Sequence, residues 1–522
     1  MFRPVLALAV LIAGLPAGRA WGWGQYGHEA VQVAAMELLA ARRHPLARFL
    51  TANVETVKRL SITPDVDWKV MSGMREVPPE QLEKQKQIDP LEQALHFFEA
   101  DAFADMEKGP GAAALPSGEY GDVHAAYQKL LQANAERVRR MAPGKPAEAA
   151  AHGTAPWRVL QLYDRAVEAM KKRDAAKALF CLGTLGHYAA DLAQPLHLTM
   201  DFDGRRAPFP AAGVHAAFES GMFELALPDP EAAFRKVLGY AAAPWAAASG
   251  PLRRRGVVRE MLRLVDGGYG YAAPILRAFS DECALAGAAC RVSREGGAPE
   301  VPEAVLRAFA SAKIGPIPGK GVPRGTVLDA AQRRLGAGAA ALARLWLSAY
   351  EDAGRPDLGG PRLRFEDLGV VDSYPPPTYL PKEALLRQGV DAASLPPPEQ
   401  FPSDQEVTPL SAIFKDKKRY EGKPVCIAGP TETLFEKYSR KGNHYFTVWL
   451  NEGEFRIKVF CFGFPKFKEG DEIEACGWYQ AEKRVSGRIF FDEFTAEAVL
   501  SGKAMRSGRV ELTPRGVRLK ER

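Results

Sequence analysis

Cysteine is scarce in this chain: six among 522 residues, too few for a scaffold built on disulfides. None stands in a C-x-x-C pair, which excludes the common cysteine zinc motifs and the thioredoxin-like redox motif. Charge of one sign is not in excess either. Lys and Arg number 69 against 63 Asp and Glu, a net of +6, so composition alone implies no nucleic-acid partner. Histidine is rare, nine in all. Apolar residues are plentiful, at 47% with 25% charged, which describes a globular chain and not a disordered one. At this length two or three domains are expected.

Long apolar runs are missing except at the start. Residues 1–22 read as a secretory signal: Arg3, an apolar stretch over 5–15, then small residues. The stretch is too short to span a bilayer permanently, and no cysteine follows it to carry a lipid. Cleavage after Ala20 would leave Trp21 first, and cleavage after Gly22 would leave Trp23 first; both satisfy the small-residue rule. A secreted or periplasmic location is expected. In an oxidising compartment Cys283 and Cys290, which bracket a short Ala/Gly-rich loop, are candidates to pair. Cys181, Cys426, Cys461 and Cys476 sit in apolar contexts and are expected as buried thiols.

Helical spacing of apolar residues runs through 29–52, 122–140, 157–172, 174–192, 230–238, 256–264, 302–313 and 327–353. No alternating pattern precedes residue 360, so a mainly α domain is expected over 23–358. Residues 359–408 contain YPPPTYLP and SLPPPEQFP and read as a proline-stiffened linker. Beyond it the period becomes two. PVCIAG, HYFTVWL, FRIKVFCFG, DEIEACGWY and RIFFDEF predict five short strands, a small all-β barrel over 409–502 of the oligonucleotide/oligosaccharide-binding (OB) type. A basic, solvated tail is expected over 503–522.

The histidines gather in motifs. The segment LGTLGHYAADLAQPLH, residues 182–197, holds His187, Asp191 and His197. On a helix the first two lie one turn apart on one face, and Asp and His are donors that zinc accepts. Read alone, such a pair is a core histidine beside a capping carboxylate. Four further motifs change that reading: WGQYGH (23–28), TPDVD (63–67), LHFFEAD (95–101) and HAAFE (215–219). In this order they resemble the zinc-dependent phospholipases C and the related single-strand-specific zinc nucleases.

That resemblance implies a shared helical fold and three Zn²⁺ ions. One would be held by Asp65, His96, His187 and Asp191, and a second by His197, His215 and Glu219. The third would take His28, the second oxygen of Asp191, and the α-amino and carbonyl groups of Trp23, if Trp23 begins the mature chain. The short Trp23-to-His28 spacing favours that cleavage point. Asp65 competes with Asp67; the family pattern places the ligand directly after the proline, which favours Asp65, and the other carboxylate would orient a histidine. Asp65 and Asp191 are the candidate catalytic carboxylates. His44, His124, His152 and His444 lie outside the motifs and read as exposed or structural.

The implied activity is phosphodiester hydrolysis by a metal-activated hydroxide. TPDVD followed by HFFEAD, and the His-x3-Glu pair, resemble the phospholipase branch. The Trp-to-His spacing and the QPLH ending resemble the nuclease branch. The expected substrate is therefore a phospholipid, or alternatively single-stranded nucleic acid, with a transient membrane-surface or oligonucleotide contact through the barrel. Tyr445, Phe446, Trp449 and Phe462 are its candidate stacking residues. A non-catalytic zinc scaffold with a binding barrel is the remaining reading.

Overall fold

The computed structural model describes residues 23–70, 79–102, 128, 131–141, 152–205, 211–223, 229–287, 301–316, 322–380, 407–501, 510–513 and 516–519, apart from scattered positions within them. The expected signal, His124 and Cys290 lie outside the described residues. The chain divides into two compact units, 1–399 and 400–522.

The first unit is helical. Its helices are α1 (Gly24–Ala41), α2 (Pro45–Ala52), α3 (Val54–Val66), α4 (Pro79–Glu92), α5 (Ala135–Met141), α6 (Ala155–Lys171) and α7 (Ala175–Asp191). They are followed by α8 (Pro230–Ala247), α9 (Gly256–Tyr269), α10 (Ala272–Ala286), α11 (Glu303–Ser311) and α12 (Val327–Asp352). The periodicity over 29–52 is two helices, because the chain turns at Arg43, whose φ is 53°, before His44 and Pro45 start α2. Helices α3 and α4, not foreseen, contain Pro64 and Pro90, which disguise a helical period. One strand pair also escaped notice: β1 (Lys313–Ile314) and β2 (Gly325–Thr326) are two residues each, too short to show alternation. Among the described residues, no helix is long and apolar enough to cross a membrane.

Helix α7 is the centre of this unit. Its residues from Ala178 to Asp191 are all buried, as expected of a helix with no polar face. It packs against α1, α3, α6 and α12. Two glycines inside it, each costing about 1 kcal/mol against alanine in an isolated helix, are required by that packing. A Cβ on Gly183 would lie 2.6 Å from Leu60 Cβ, and one on Gly186 would lie 2.1 Å from Gln32 Nε2. Gln32 Nε2 also donates to the Gly183 carbonyl at 2.6 Å, locking α1 to α7. Gly186→Ala should therefore destabilise the protein by about 1–3 kcal/mol, read as a lower urea midpoint. An unchanged midpoint would show that α1 and α7 separate freely. Helix α12 starts on a capping box between Thr326 and Asp329 and buries Trp346, whose Nε1 donates to the Leu182 carbonyl at 3.0 Å.

The proline-rich segment is not free chain up to residue 380. Leu368 and Val370 join the helical core, and backbone carbonyls of this stretch accept from the helices. Trp68 Nε1 donates to Val370 O at 2.9 Å, Gln161 Nε2 to Pro376 O at 2.7 Å, and Arg158 to Pro375 O. Proline, lacking an N–H, leaves such carbonyls available to outside donors.

In the second unit β3 (Pro424–Tyr438), β4 (His444–Glu452), β5 (Phe455–Phe462), β6 (Glu472–Val485) and β7 (Arg488–Ser501) close in the order β3-β4-β5-β7-β6. All five are foreseen strands. The β5–β7 pair is parallel, the rest antiparallel. Val448, Leu450, Ile457, Val459, Ile473 and Phe494 face inward. Cys426 and Cys476, expected as thiols, are directly opposite on β3 and β6 and form a disulfide. Burial and a shared register position brought them together, and neither is legible from local context. In the expected solvated tail, β8 (Val510–Thr513) and β9 (Gly516–Leu519) form a hairpin.

Candidate metal centre

Helix α7 presents His187 and Asp191 one turn apart, with His187 Nε2 3.1 Å from Asp191 Oδ2. The helix ends at Asp191. Gln194 then caps a 3₁₀ turn, Pro195–Leu198, by accepting from the Leu196 amide, and Pro195 suits the first position of that turn. The turn carries His197 back, placing its Nδ1 3.6 Å from Asp191 Oδ1.

Three other elements converge on the same carboxylate. From α1, His28 Nε2 lies 3.6 Å from Asp191 Oδ1 and 3.8 Å from Asp65 Oδ2, and its ring stacks on His187 with centroids 4.1 Å apart. Asp65 sits in the last turn of α3. His96, at the end of the 3₁₀ turn Gln93–His96, puts Nδ1 2.9 Å from Asp191 Oδ2, 2.9 Å from His187 Nε2 and 3.7 Å from Asp65 Oδ1.

His215 and Glu219 form the second group. Gly213, at φ 92°, opens a short helical turn, Val214–Ala216, that widens into a π-helical turn, Ala217–Gly221. Such turns are rare and concentrate at functional sites. His197 Nε2 lies 3.1 Å from His215 Nε2, and both lie 2.9 Å from Glu219 Oε1.

All eight side chains singled out from the sequence thus meet, and all are buried. Trp23, the ninth residue, buries its indole against Phe218 and donates from Nε1 to the Ala190 carbonyl at 2.7 Å. That bond fixes the start of α1 one residue from Asp191. Asp67 turns away from the cluster, pairing with Arg59 at 2.8 Å. Of the remaining histidines, His44 caps α2 by accepting from the Leu46 amide, His152 is buried against Glu99, and His444 lies 3.3 Å from Glu436.

Sequence reasoning overlooked three supporting residues. Lys69, four after Asp65, donates to Asp65 Oδ1 at 2.9 Å and leaves Oδ2 facing His28 and His187. Gln194 Nε2 donates to Glu219 Oε1 at 2.6 Å. Glu92, one turn before His96, places Oε1 3.5 Å from His96 Nε2. Lys69 and Gln194 lie within or beside recognised motifs; Glu92 is marked only by its i,i+4 offset from a histidine.

The orientation of two imidazoles is set by the main chain. His187 Nδ1 donates to the Ser61 carbonyl at 2.7 Å, and His197 Nδ1 to the His96 carbonyl at 3.0 Å. In the neutral form of each ring the lone pair then falls on Nε2, the nitrogen facing the cluster.

Burial opposes charge throughout. It takes His28 and His96 well below the ordinary histidine range. For His187 and His197 burial is outweighed by Asp191 with Asp65 or Glu219, and His197 rises to about 9. The same pairings, against burial, hold Asp191 well below the carboxylate range and Glu219 at about 2. Asp65 is raised by burial despite Lys69.

The donor set fits zinc. Three groups each bring their donor atoms within 4.8 Å of one another: His28, His187 and Asp191; Asp65, His96 and His187; His197, His215 and Glu219. Bonds of about 2.0–2.1 Å in a tetrahedral site put neighbouring donors about 3.3 Å apart, inside the 2.9–3.9 Å spread of nitrogen and oxygen contacts here. Both nitrogens of His28, Asp65 Oδ2 and Asp191 Oδ1 are buried with no hydrogen-bond partner among the described residues. Buried polar atoms seldom lack a partner, and a shared cation would satisfy His28 Nε2 and the two carboxylate oxygens that face it. Cys426, Glu474 and Cys476 also converge, but the two sulfurs are bonded to each other.

No protein-family model matches the chain, and no curated protein matches it. Among solved structures it matches Alpha Toxin from Clostridium Absonum at 12% identity, covering 91% of this chain and 96% of that one, with a TM-score of 0.28. A likeness that slight transfers no property to this chain.

Proposed function

We propose that this protein is a secreted or periplasmic zinc-dependent phosphodiesterase of the phospholipase C type. The observation that supports this reading best is the placement of Asp191. Its Oδ2 faces His96 and His187 while its Oδ1 faces His28 and His197. A carboxylate whose two oxygens face different sets of imidazoles can serve two cations, which an imidazole nitrogen cannot.

On this reading Asp65, His96, His187 and Asp191 hold one zinc, and His197, His215 and Glu219 a second. His28, the other oxygen of Asp191 and the main chain of a processed Trp23 hold a third. Bound zinc supplies a Lewis acid for the phosphoryl oxygens and brings the pKa of a water towards neutrality. The protein's own part is positioning. Gln194 fixes the Glu219 carboxylate, and the Ser61 and His96 carbonyls fix two rings. Lys69, held on Asp65 at 2.9 Å, offsets one of the negative charges of the donor set.

The motifs TPDVD and HFFEAD and the His215–Glu219 pair favour a phospholipid substrate. One observation favours nucleic acid instead. The outward face of β4 and β5 carries Tyr445, Phe460 and Phe462 in ring contact, with Lys437 beside Tyr445 and Lys458 beside Trp449. Aromatic rows with interspersed cations stack unpaired bases. Phe446, by contrast, is buried in the barrel. The experiment pairs metal analysis with two substrates. Chelated protein should lose hydrolysis of bis(p-nitrophenyl) phosphate and regain it with Zn²⁺. The reloaded protein should release phosphocholine from phosphatidylcholine vesicles and leave single-stranded DNA intact. Cleavage of DNA alone would replace the phospholipase reading with the nuclease one. Zinc binding without either activity would leave a scaffold.

A further inference from the structure

Three histidines of the cluster have an outer nitrogen whose environment decides which nitrogen bears the proton. For His187 and His197 the outer atom is Nδ1, and each meets a backbone carbonyl. His96 is reversed. Its Nδ1 points inward, at Asp191 and His187, so Nε2 is the outer atom. No carbonyl reaches Nε2, which has no closer hydrogen bond among the described residues. What it faces is Glu92 Oε1 at 3.5 Å.

Glu92 is itself held by two other side chains. Tyr188, next to His187 on α7, donates its hydroxyl to Oε1. Arg158 of α6 approaches Oε2 at 3.4 Å. The guanidinium is fully buried, donates to Gln161 Oε1 at 2.7 Å and to the Pro375 carbonyl, and lies over the rings of Trp68, Tyr188 and Tyr374. An Arg–Glu pair without solvent is costly to assemble. A purely structural pair at this depth could be replaced by apolar packing, so its position behind a candidate ligand asks for a reason.

We propose that Glu92 is a positioning residue for the metal centre: it accepts the Nε2 proton of His96, so that the Nδ1 lone pair faces Asp65, Asp191 and His187. Arg158 and the proline-rich segment around Pro375 clamp the carboxylate that does this. The inference rests on the metal-centre reading above and adds to it a residue that contacts neither substrate nor metal.

Glutamine at this position makes the idea testable. Gln has one oxygen, and Arg158, with only donors to offer, claims it. The amide NH₂ is then turned towards His96 Nε2 as a donor, which favours the tautomer protonated on Nδ1 and aims a proton into the site. In zinc-loaded full-length protein labelled with ring-¹⁵N histidine, where a cation can take the place of the proton between Nδ1 and Asp191, His96 should show a protonated Nε2, and Glu92→Gln should move the proton to Nδ1. In zinc titrations against a chromophoric chelator, the same substitution should weaken one zinc equivalent about 10–100-fold. Tyr188→Phe, which disturbs the same packing but leaves the carboxylate, should keep that affinity within about threefold and keep the wild-type tautomer. A protonated Nδ1 in the wild type overturns the proposal without any variant. So does Glu92→Gln with unchanged tautomer and zinc affinity. If wild-type protein binds no zinc, the metal reading fails, whereas zinc binding with an unprotonated Nε2 on His96 overturns the role of Glu92 alone.

Discussion

Asp191→Asn should abolish activity and strip zinc from the protein. The carboxylate is fully buried at the meeting point of four imidazoles, with contacts of 2.9, 3.1, 3.6 and 3.6 Å. Asparagine keeps the shape but removes the charge, and it presents an N–H₂ to nitrogen lone pairs on one side. Losing one member of a buried charge arrangement costs about 3–5 kcal/mol, so zinc affinity and hydrolysis should each fall by about two to four orders of magnitude. Metal content by atomic emission and turnover of bis(p-nitrophenyl) phosphate read the two effects. Retention of all bound zinc with full activity would place the reacting centre elsewhere.

Arg158→Met should give the largest loss of stability. Methionine fills much of the same space but leaves Glu92 charged in the interior without its cation and frees the Pro375 and Gln161 contacts. About 3–5 kcal/mol is expected, measured from urea unfolding of the chelated protein so that metal binding does not enter. The double variant Glu92→Leu with Arg158→Met should recover much of that loss, since both buried charges leave together. Its zinc affinity should stay weak, because His96 still lacks its acceptor. Equal losses for single and double variants would mean that Arg158 acts through packing alone.

How far these residues were legible differs by kind. His187 and Asp191 were, because a helical period and an i,i+4 offset are local. The five long strands of the barrel were, because alternation is local too. Arg158 and Glu92 were not. A charged residue is expected at the surface, and only partners 66 positions apart in sequence reveal why this pair is inside. The stretch ending at Leu380 reads as a linker by its prolines. What holds it down is a few anchors such as Leu368 and Val370 and the Val370, Pro375 and Pro376 carbonyls that accept from Trp68, Arg158 and Gln161, and neither leaves a period. The Cys426–Cys476 link depends on strand order, which five separate strand patterns do not supply. Pro64 and Pro90 hid two helices because they interrupt hydrogen bonding in helices that tertiary packing maintains.

The contacts from His187 and His197 to the Ser61 and His96 carbonyls bear on how this centre tolerates change. Both acceptors are peptide oxygens, present whatever amino acid occupies position 61 or 96. Point substitution at Ser61 can therefore alter volume or polarity there without deleting the ring's anchor. Only a shift of the α3 backbone, or of the turn that ends at His96, would release the imidazoles. Two of the five rings are in this sense insured against genetic drift by the path of the chain.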